Sequence, residues 1–169
     1  LIVMPDANVG EPGFNAKAVE SALSMFKAEM LNVIIPFVDN HYRTKTTAES
    51  RAMAGLSYGG IHTLYTGVPS TDTFAYLGVF SSGWILPMLN KVADQQYTYM
   101  QQHASELNHK LKAFWFSQGG KADIAYQNGH ILLNKLDSLK IKHSYFEYPG
   151  GHTWPVWRMD LYKFLPVLF

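Results

Sequence analysis

The sequence Gly55-Leu56-Ser57-Tyr58-Gly59-Gly60 places a serine between two glycines, each two residues away from it. This spacing is typical of a sharp turn from a strand into a helix, in which the serine hydroxyl stands exposed. The flanking residues predict the same turn, because 51–54 is a small, apolar run suited to a buried strand and 61–65 continues with helical character. The sequence therefore predicts that Ser57 is a nucleophile.

So short a motif needs further support, and two residues later in the sequence, Asp123 and His152, supply it. A chance match to it occurs in roughly one of twenty chains of this length. Asp123 and His152 follow Ser57 in the order serine, acid, histidine, which is the order found with the hydrolase turn. In such a triad the imidazole accepts the serine proton and the carboxylate orients the imidazole. We therefore expect Ser57, Asp123 and His152 to form a catalytic triad.

His152 is favoured over the six other histidines because of the loop that carries it. It follows Pro149-Gly150-Gly151, and two glycines give the backbone the freedom to turn the ring toward the sheet. His62 lies near the predicted turn but precedes the acid and has no glycine loop. A packed or surface position is the ordinary interpretation of the remaining histidines.

Asp123 has two interpretations, and the sequence supports both. It follows a polar loop that contains Gly119 and Gly120, where a carboxylate is able to reach inward. It also suits the N-cap of a helix predicted from Ile124. Asp137, inside a predicted helix, and Asp94, in a region of weak periodicity, are the less favoured acids.

The remaining sequence predicts alternating strands and helices. Strands are expected at 1–4, 51–56, 74–81, 111–117 and 143–148. Helices are expected at 15–42 with an interruption at Pro36, after the serine turn, at 124–139 and at 156–165, with a loop at 10–13 and a helical insertion or lid at 85–110. This alternation indicates an α/β fold with a mostly parallel sheet and helices on both faces. Ligands bind beyond the carboxyl ends of such strands, where the three candidate residues are expected to meet.

Composition narrows the classes of protein and of partner. The chain has 169 residues, of which 47% are hydrophobic, which predicts a single domain with a sizeable core over 1–169. Its net charge of +1 favours neither nucleic acid nor an anionic membrane as partner, and its apolar runs are shorter than a membrane span requires. It has no cysteine and no H-E-x-x-H motif, so we predict neither a metal nor a cofactor.

An acyl-transfer site also needs hydrogen-bond donors for the developing oxyanion. The backbone N–H of Tyr58, the residue after the serine, is the natural first donor. The second normally comes from a loop after an earlier strand, and no His-Gly or Gly-Gly sequence precedes Ser57. We expect that donor to lie before Leu1 and the chain by itself to be a weak catalyst.

Three stretches of the chain resemble the putative esterase family: 1–6, 55–60 and 149–158, of which the last, with its His-Thr-Trp sequence, is the most specific. That family includes feruloyl and acetyl xylan esterases of carbohydrate esterase family 1, siderophore esterases, S-formylglutathione hydrolase and mycolyltransferases. The resemblance implies an α/β-hydrolase fold that lacks the N-terminal strands of full members. It also implies that Ser57 is the nucleophile, His152 the general base and Asp123 the orienting carboxylate.

The resemblance also implies a substrate class. A feruloyl or acetyl ester on a plant polysaccharide is expected, with an extracellular or periplasmic location. Trp84 and Trp154 are expected to bind the substrate, because flat aromatic faces suit a phenolic acid or a sugar, although core packing is the alternative. An acyltransferase and a non-catalytic carbohydrate-binding module remain alternative functions.

The predicted first strand has a further implication for partners. If 1–4 is a central strand without neighbours, its hydrophobic edge is able to pair with another chain. We therefore expect a dimer, a companion chain or poor solubility.

Overall fold

A computed structural model of the protein describes residues 1–7, 9 and 15–169, so the loop predicted at 10–13 lies outside the described residues. The four strands are β1 (Ala52–Leu56), β2 (Tyr76–Phe80), β3 (Ala113–Gly119) and β4 (Ser144–Tyr148). The α-helices are α1 (Ala16–Glu29), α2 (Ile35–His41), α3 (Tyr58–Gly67), α4 (Asn90–Gln102), α5 (Ala104–Lys110), α6 (Tyr126–Ser138) and α7 (Trp154–Phe164).

The strands form one parallel sheet in the order β1-β2-β3-β4. Side chains of successive residues point to opposite faces of a strand, and the sheet accordingly has two cores. Leu77 and Phe116 belong to the larger core, with residues of α1, α3 and α6. Phe80 and Trp115 belong to the smaller core, with Phe164 of α7. Helices therefore cover both faces, as the sequence predicted.

The helix predicted over 15–42 is continuous, but its hydrogen bonding changes before the proline. A π-helical turn, Met30–Ile34, separates α1 from α2, and the N–H of Ile35 bonds to the carbonyl of Met30, five residues back. Pro36 follows at the start of α2, where its missing N–H and its ring are tolerated. The predicted interruption thus takes the form of a π turn.

The same helix is the one segment in the described part of the chain that passes a length and hydropathy test for crossing a membrane. That test is weak evidence, because a core helix of a soluble protein passes it too. Leu23 and Phe26 of α1 are almost fully buried in the larger core, where the ring of Phe26 contacts His62 of α3.

The prediction of a strand at 1–4 is wrong. These residues have no regular secondary structure, and Leu1 and Met4 are 80% and 89% exposed. A strand needs a partner for its backbone groups and a surface for its side chains. No strand of the described sheet pairs with residues 1–4, so their apolar character alone does not make them a strand.

Candidate active site

Ser57 occupies the turn between β1 and α3 with φ +52° and ψ −119°, a conformation that non-glycine residues rarely adopt. Two hydrogen bonds hold it there. Its N–H donates to the carbonyl of Phe80 over 2.9 Å, and its own carbonyl accepts from the hydroxyl of Ser82 over 2.6 Å. The turn is therefore tied to the end of the neighbouring strand.

Two of the three glycines beside the serine, Gly55 and Gly60, are required by close packing. A Cβ on Gly55 would lie 2.1 Å from the carbonyl oxygen of Gly59, and one on Gly60 would lie 2.4 Å from the Cβ of Ser82. Both distances are far below any tolerated contact, so a side chain at either position would push the turn open. The tightness of the turn thus explains Gly55 and Gly60, whereas a Cβ on Gly59 would meet nothing within 4 Å.

The side chains of Ser57, His152 and Asp123 form a continuous hydrogen-bonded chain. The Oγ of Ser57 lies 2.9 Å from Nε2 of His152, and Nδ1 of His152 lies 2.8 Å from Oδ1 of Asp123. An ionised carboxylate only accepts hydrogen bonds, so Nδ1 carries the proton and Nε2 is free to accept from the serine hydroxyl. The structure therefore brings the three predicted residues together, although they are far apart in sequence.

Asp123 is 3% exposed and accepts four hydrogen bonds. Oδ2 accepts from the Ser81 hydroxyl at 2.6 Å and the Gly119 N–H at 3.0 Å. Oδ1 accepts from His152 and from the Ala125 N–H at 2.9 Å. Burial by itself raises the pKa of Asp123, but the hydrogen bonds, that of Ser81 first among them, outweigh it and hold the pKa below its ordinary value.

The N-cap interpretation of Asp123 is wrong, because α6 begins at Tyr126, its N-cap is Ala125 and no side chain caps it. The carboxylate instead accepts from the N–H of Ala125, in the loop before the helix, while it also holds His152. The two less favoured acids are placed elsewhere: Asp94 lies on α4, and Asp137 lies on α6, 3.7 Å from His143.

Tyr58 is the first residue of α3, and the first amides of a helix have no acceptor within it. Its N–H therefore suits a developing negative charge beside Ser57. Its ring packs edge-on against His62, with centroids 4.9 Å apart, and burial raises the pKa of its phenol.

His62 is 1% exposed and also contacts Phe26. Burial lowers the pKa of His62 to about 4, so it is a neutral core residue behind the turn.

The two tryptophans expected to bind substrate differ in exposure. Trp84 is 5% exposed and belongs to the larger core, so its ring is not presented to a ligand; the alternative interpretation, core packing, describes it. Trp154 is 63% exposed at the start of α7. Its ring contacts Trp157 edge-on, and Trp157 in turn contacts the His152 ring, with centroids 4.9 Å apart. A substrate-binding role for Trp154 stays a prediction.

The surroundings of the site include a polar cleft and no cluster of metal-ligand type. The cleft has a volume of about 490 Å³ and is lined by Asp123 and, beside it, by Lys121, Ile124, Tyr126, Gln127 and Asn128. Over residues 1–7, 9 and 15–169 no three His, Asp or Glu side chains come together in a way that would hold a metal ion.

Sequence reasoning missed three buried polar residues near the site. Ser81 and Ser82 follow β2 directly and bond to Asp123 and to Ser57; two serines after an apolar strand, at the carboxyl edge of the sheet, were the available signal. Asp160 of α7 is fully buried, and neither of its oxygens has a hydrogen-bond partner. Burial, with a smaller contribution from the charge of Asp123, raises the pKa of Asp160 to about 7; the Ser117 hydroxyl makes no direct hydrogen bond to the carboxyl group, and its polar influence offsets only part of this.

Solved structures share this architecture. A ferulic acid esterase from Anaeromyces mucronatus, solved with ferulic acid, superimposes with a TM-score of 0.74 at 21% identity, over 98% of this chain and 61% of that one. The feruloyl esterase module from Clostridium thermocellum gives a TM-score of 0.72 at 21% identity, over 87% of this chain and 59% of that one. The fold is thus the α/β-hydrolase fold, as predicted.

The sequence identifies the family within this class. Residues 6–168 match the family described as putative esterase, and the chain belongs to that family. A stretch of 62 residues is 36% identical to an endo-1,4-beta-xylanase/feruloyl esterase from Xylanibacter ruminicola, which is 37% of this chain and 8% of that protein. The chain spans about three fifths of the length of the two solved structures.

Proposed function

We propose that this protein is a serine esterase that hydrolyses carboxylic esters through an acyl-enzyme. The observation that carries the proposal is the hydrogen-bonded chain from the Oγ of Ser57 through His152 to Asp123. Membership of the esterase family supports the same chemistry. The strained backbone of Ser57 adds to this support, because strain of that kind is concentrated at functional sites.

In the first half of the reaction, Nε2 of His152 accepts the hydroxyl proton of Ser57 as Oγ bonds to the ester carbonyl carbon. The carbonyl oxygen becomes an oxyanion, which the N–H of Tyr58 stabilises. The bond from the carbonyl carbon to the alcohol oxygen then breaks, and His152 gives its proton to the departing alcohol. Asp123 stays ionised throughout and stabilises the imidazolium.

In the second half, a water molecule takes the place of the alcohol. His152 accepts one proton of that water as its oxygen bonds to the acyl carbon. The bond between the acyl carbon and Oγ breaks, His152 returns the proton to Ser57, and the carboxylic acid leaves. The enzyme is restored without any redox step or co-reactant other than water.

For the substrate we propose a feruloyl or acetyl ester carried on a plant polysaccharide. The relatives support this choice, because they are named as feruloyl or ferulic acid esterases and one is also a xylanase. The exposed ring of Trp154, connected to His152 through Trp157, supplies a flat apolar surface near the reacting groups. An extracellular or periplasmic location accords with a polymeric substrate and is proposed with it.

For partners, we propose that further strands cover the outer edge of β1, supplied by more of the same protein, a companion chain or a second copy. The free backbone groups of an edge strand readily pair with another strand. The exposed apolar residues at 1–4 support the proposal, since an uncovered apolar segment favours association.

A fluorophosphonate probe tests the function directly. We expect covalent labelling at Ser57, because the probe reacts only with a serine hydroxyl that a neighbouring base activates. Ser57→Ala should abolish both labelling and hydrolysis of p-nitrophenyl acetate. Ser138→Ala, on the exposed side of α6, is the matched control and should leave both unchanged.

Product analysis separates the proposal from the two alternatives. If unlabelled protein transfers the acyl group to an added sugar in preference to water, and prior labelling of Ser57 abolishes this transfer, the acyltransferase alternative is correct. If the protein binds xylan oligosaccharides firmly while Ser57 stays unlabelled and no ester is cleaved, the chain acts as a binding module and the esterase proposal is wrong.

A further inference from the structure

Ser81 has an unusual backbone conformation for a residue that is completely buried. It follows β2 directly, is 0% exposed and has φ +43°, in the left-handed region that favours glycine. A serine kept in this conformation must be held by its surroundings, and such strain is typical of residues that orient a functional group.

Both the backbone and the side chain of Ser81 are fixed by hydrogen bonds. Its N–H donates to the carbonyl of Ser117 over 2.7 Å, which ties it to β3. Its hydroxyl donates to Oδ2 of Asp123 over 2.6 Å. The positive φ thus turns the side chain toward the loop after β3, where the acid lies.

The donors around Asp123 are divided equally between its two oxygens. Ser81 and the Gly119 amide bind Oδ2, whereas His152 and the Ala125 amide bind Oδ1. Two donors on each oxygen fix the rotation of the carboxyl group. Apart from His152, which the carboxylate orients, the donors are two backbone amides and the hydroxyl of Ser81. Ser81 is therefore the one supporting donor that is a side chain.

We propose that Ser81 is a positioning residue, which holds the carboxylate of Asp123 in the orientation that His152 requires and so extends the triad to four members. This inference rests on the proposed esterase function. Ser81 does not contact the substrate; it acts through Asp123. Its neighbour Ser82 bonds to the carbonyl of Ser57, so two consecutive residues brace the acid and the serine.

If Ser81 positions Asp123, its loss should change the pH dependence of the reaction, which a loss of structural support alone would not do. A carboxylate that loses a donor becomes more basic, since the hydrogen bond stabilised its charged form. A more basic Asp123 attracts the imidazolium more strongly, so protonated His152 persists to higher pH. The other titratable groups that face Asp123 are His152, from the loop after β4, and Asp160, from α7.

Ser81→Ala tests the proposal through the pH profile of p-nitrophenyl acetate hydrolysis. We expect kcat to fall about 10- to 100-fold, the range for a hydrogen bond to a charged group, with KM within about twofold because the substrate is not contacted. The acid limb of kcat/KM should move up by about half a pH unit. Ser81→Gly should behave alike and folds without strain at a positive φ.

Ser70→Ala is the matched control. Ser70 is also buried, at 9% exposed, in the turn after α3, and it supplies none of the four hydrogen bonds to Asp123. It therefore measures the loss of a buried hydroxyl alone, and its acid limb should stay where it is in the parent protein. If Ser81→Ala and Ser81→Gly also leave the acid limb and kcat in place, the hydroxyl serves only packing and the proposal is wrong.

Proton NMR keeps this test separate from the test of the esterase function. The Nδ1 proton of His152, shared with Asp123, should give a strongly downfield resonance in the parent protein and a shifted one in Ser81→Ala. This readout needs no turnover, so it tests the positioning role even if Ser57 stays unlabelled. An identical resonance in both proteins would overturn the proposal.

Discussion

Asp123 and Asp160 are both buried carboxyl groups, and the charge of Asp123 acts on Asp160, yet their surroundings are opposite. Asp123, in the loop after β3, accepts four hydrogen bonds, and its pKa lies below the ordinary value. Asp160, on α7, has no partner for either oxygen, and burial raises its pKa to about 7. Burial therefore does not decide the charge of a carboxyl group; the number of donors does.

The difference also separates two roles in the molecule. A carboxylate that is ionised at every pH of interest is able to hold His152 in one tautomer and stabilise its cation. A carboxyl group that is half protonated near neutral pH instead makes the stability of the fold depend on pH. Only Asp123 has the arrangement that a triad requires.

The largest expected effect comes from neutralising Asp123. Asp123→Asn should lower kcat by about 10⁴-fold, because an amide no longer fixes the proton on Nδ1 of His152. Steady-state hydrolysis of p-nitrophenyl acetate measures this loss. Asp160→Asn is the matched variant and should change kcat by less than about threefold; a comparable loss in both variants would erase the distinction between the two carboxyls.

The second prediction concerns stability and pH. The pKa of Asp160 is about 7 when folded against an ordinary value of 3.8, so the folded state binds one more proton between these limits. The contribution of Asp160 to stability is therefore fully present below about pH 4 and is lost as the pH rises through about 7. Asp160→Asn should remove this loss, which is about 4 kcal/mol by linkage.

Urea unfolding at pH 4 and pH 8 measures the Asp160 contribution. The stability difference between variant and parent should grow in favour of Asp160→Asn as the pH rises. Equal differences at the two pH values would mean that Asp160 is ionised or hydrogen-bonded in the folded protein. For Asp123 the dependence has the opposite sign, since a lowered pKa contributes stability that is lost as the pH falls.

The smallest expected effect concerns Trp157 of α7, the helix that carries Asp160. Trp157 lies one turn before Asp160 and contacts the His152 ring edge-on. Trp157→Ala should lower kcat about 2- to 10-fold, the range for an aromatic contact. Tyr162→Ala, 68% exposed on the same helix, is the control. An effect of Trp157→Ala no larger than that of the control would show that α7 does not help to place the imidazole.

Much of the fold followed from local pattern. The four strands of the described sheet and the last two α-helices begin and end within two residues of their predicted bounds, because apolar runs and amphipathic periods decide these elements. The strand expected at 1–4 failed for a different reason. An apolar run says only that a segment prefers to be buried, and the pairing that makes it a strand depends on neighbours far away in sequence.

For the candidate site, too, local sequence predicted some features and left others to the fold. The sequence pointed to Ser57, Asp123 and His152, since each type of residue has its own local setting: a tight glycine turn, a strand end and a glycine loop. It gave Trp84 and Trp154 equal standing, but the fold buries one and exposes the other. Exposure depends on which helices cover a residue, which local sequence does not report.

By itself the sequence determined the four strands of the described sheet, the parallel α/β class and the three residue types of the site, because these depend on short-range pattern and on the chemistry of single side chains. Only the tertiary structure decided that Ser81 and Ser82 brace the site and that Asp160 lacks partners. Hydrogen bonds of this kind join residues tens of positions apart, as between Ser81 and Asp123. Their existence depends on the packing of β2, β3 and α7 against one another, which no single stretch of sequence specifies.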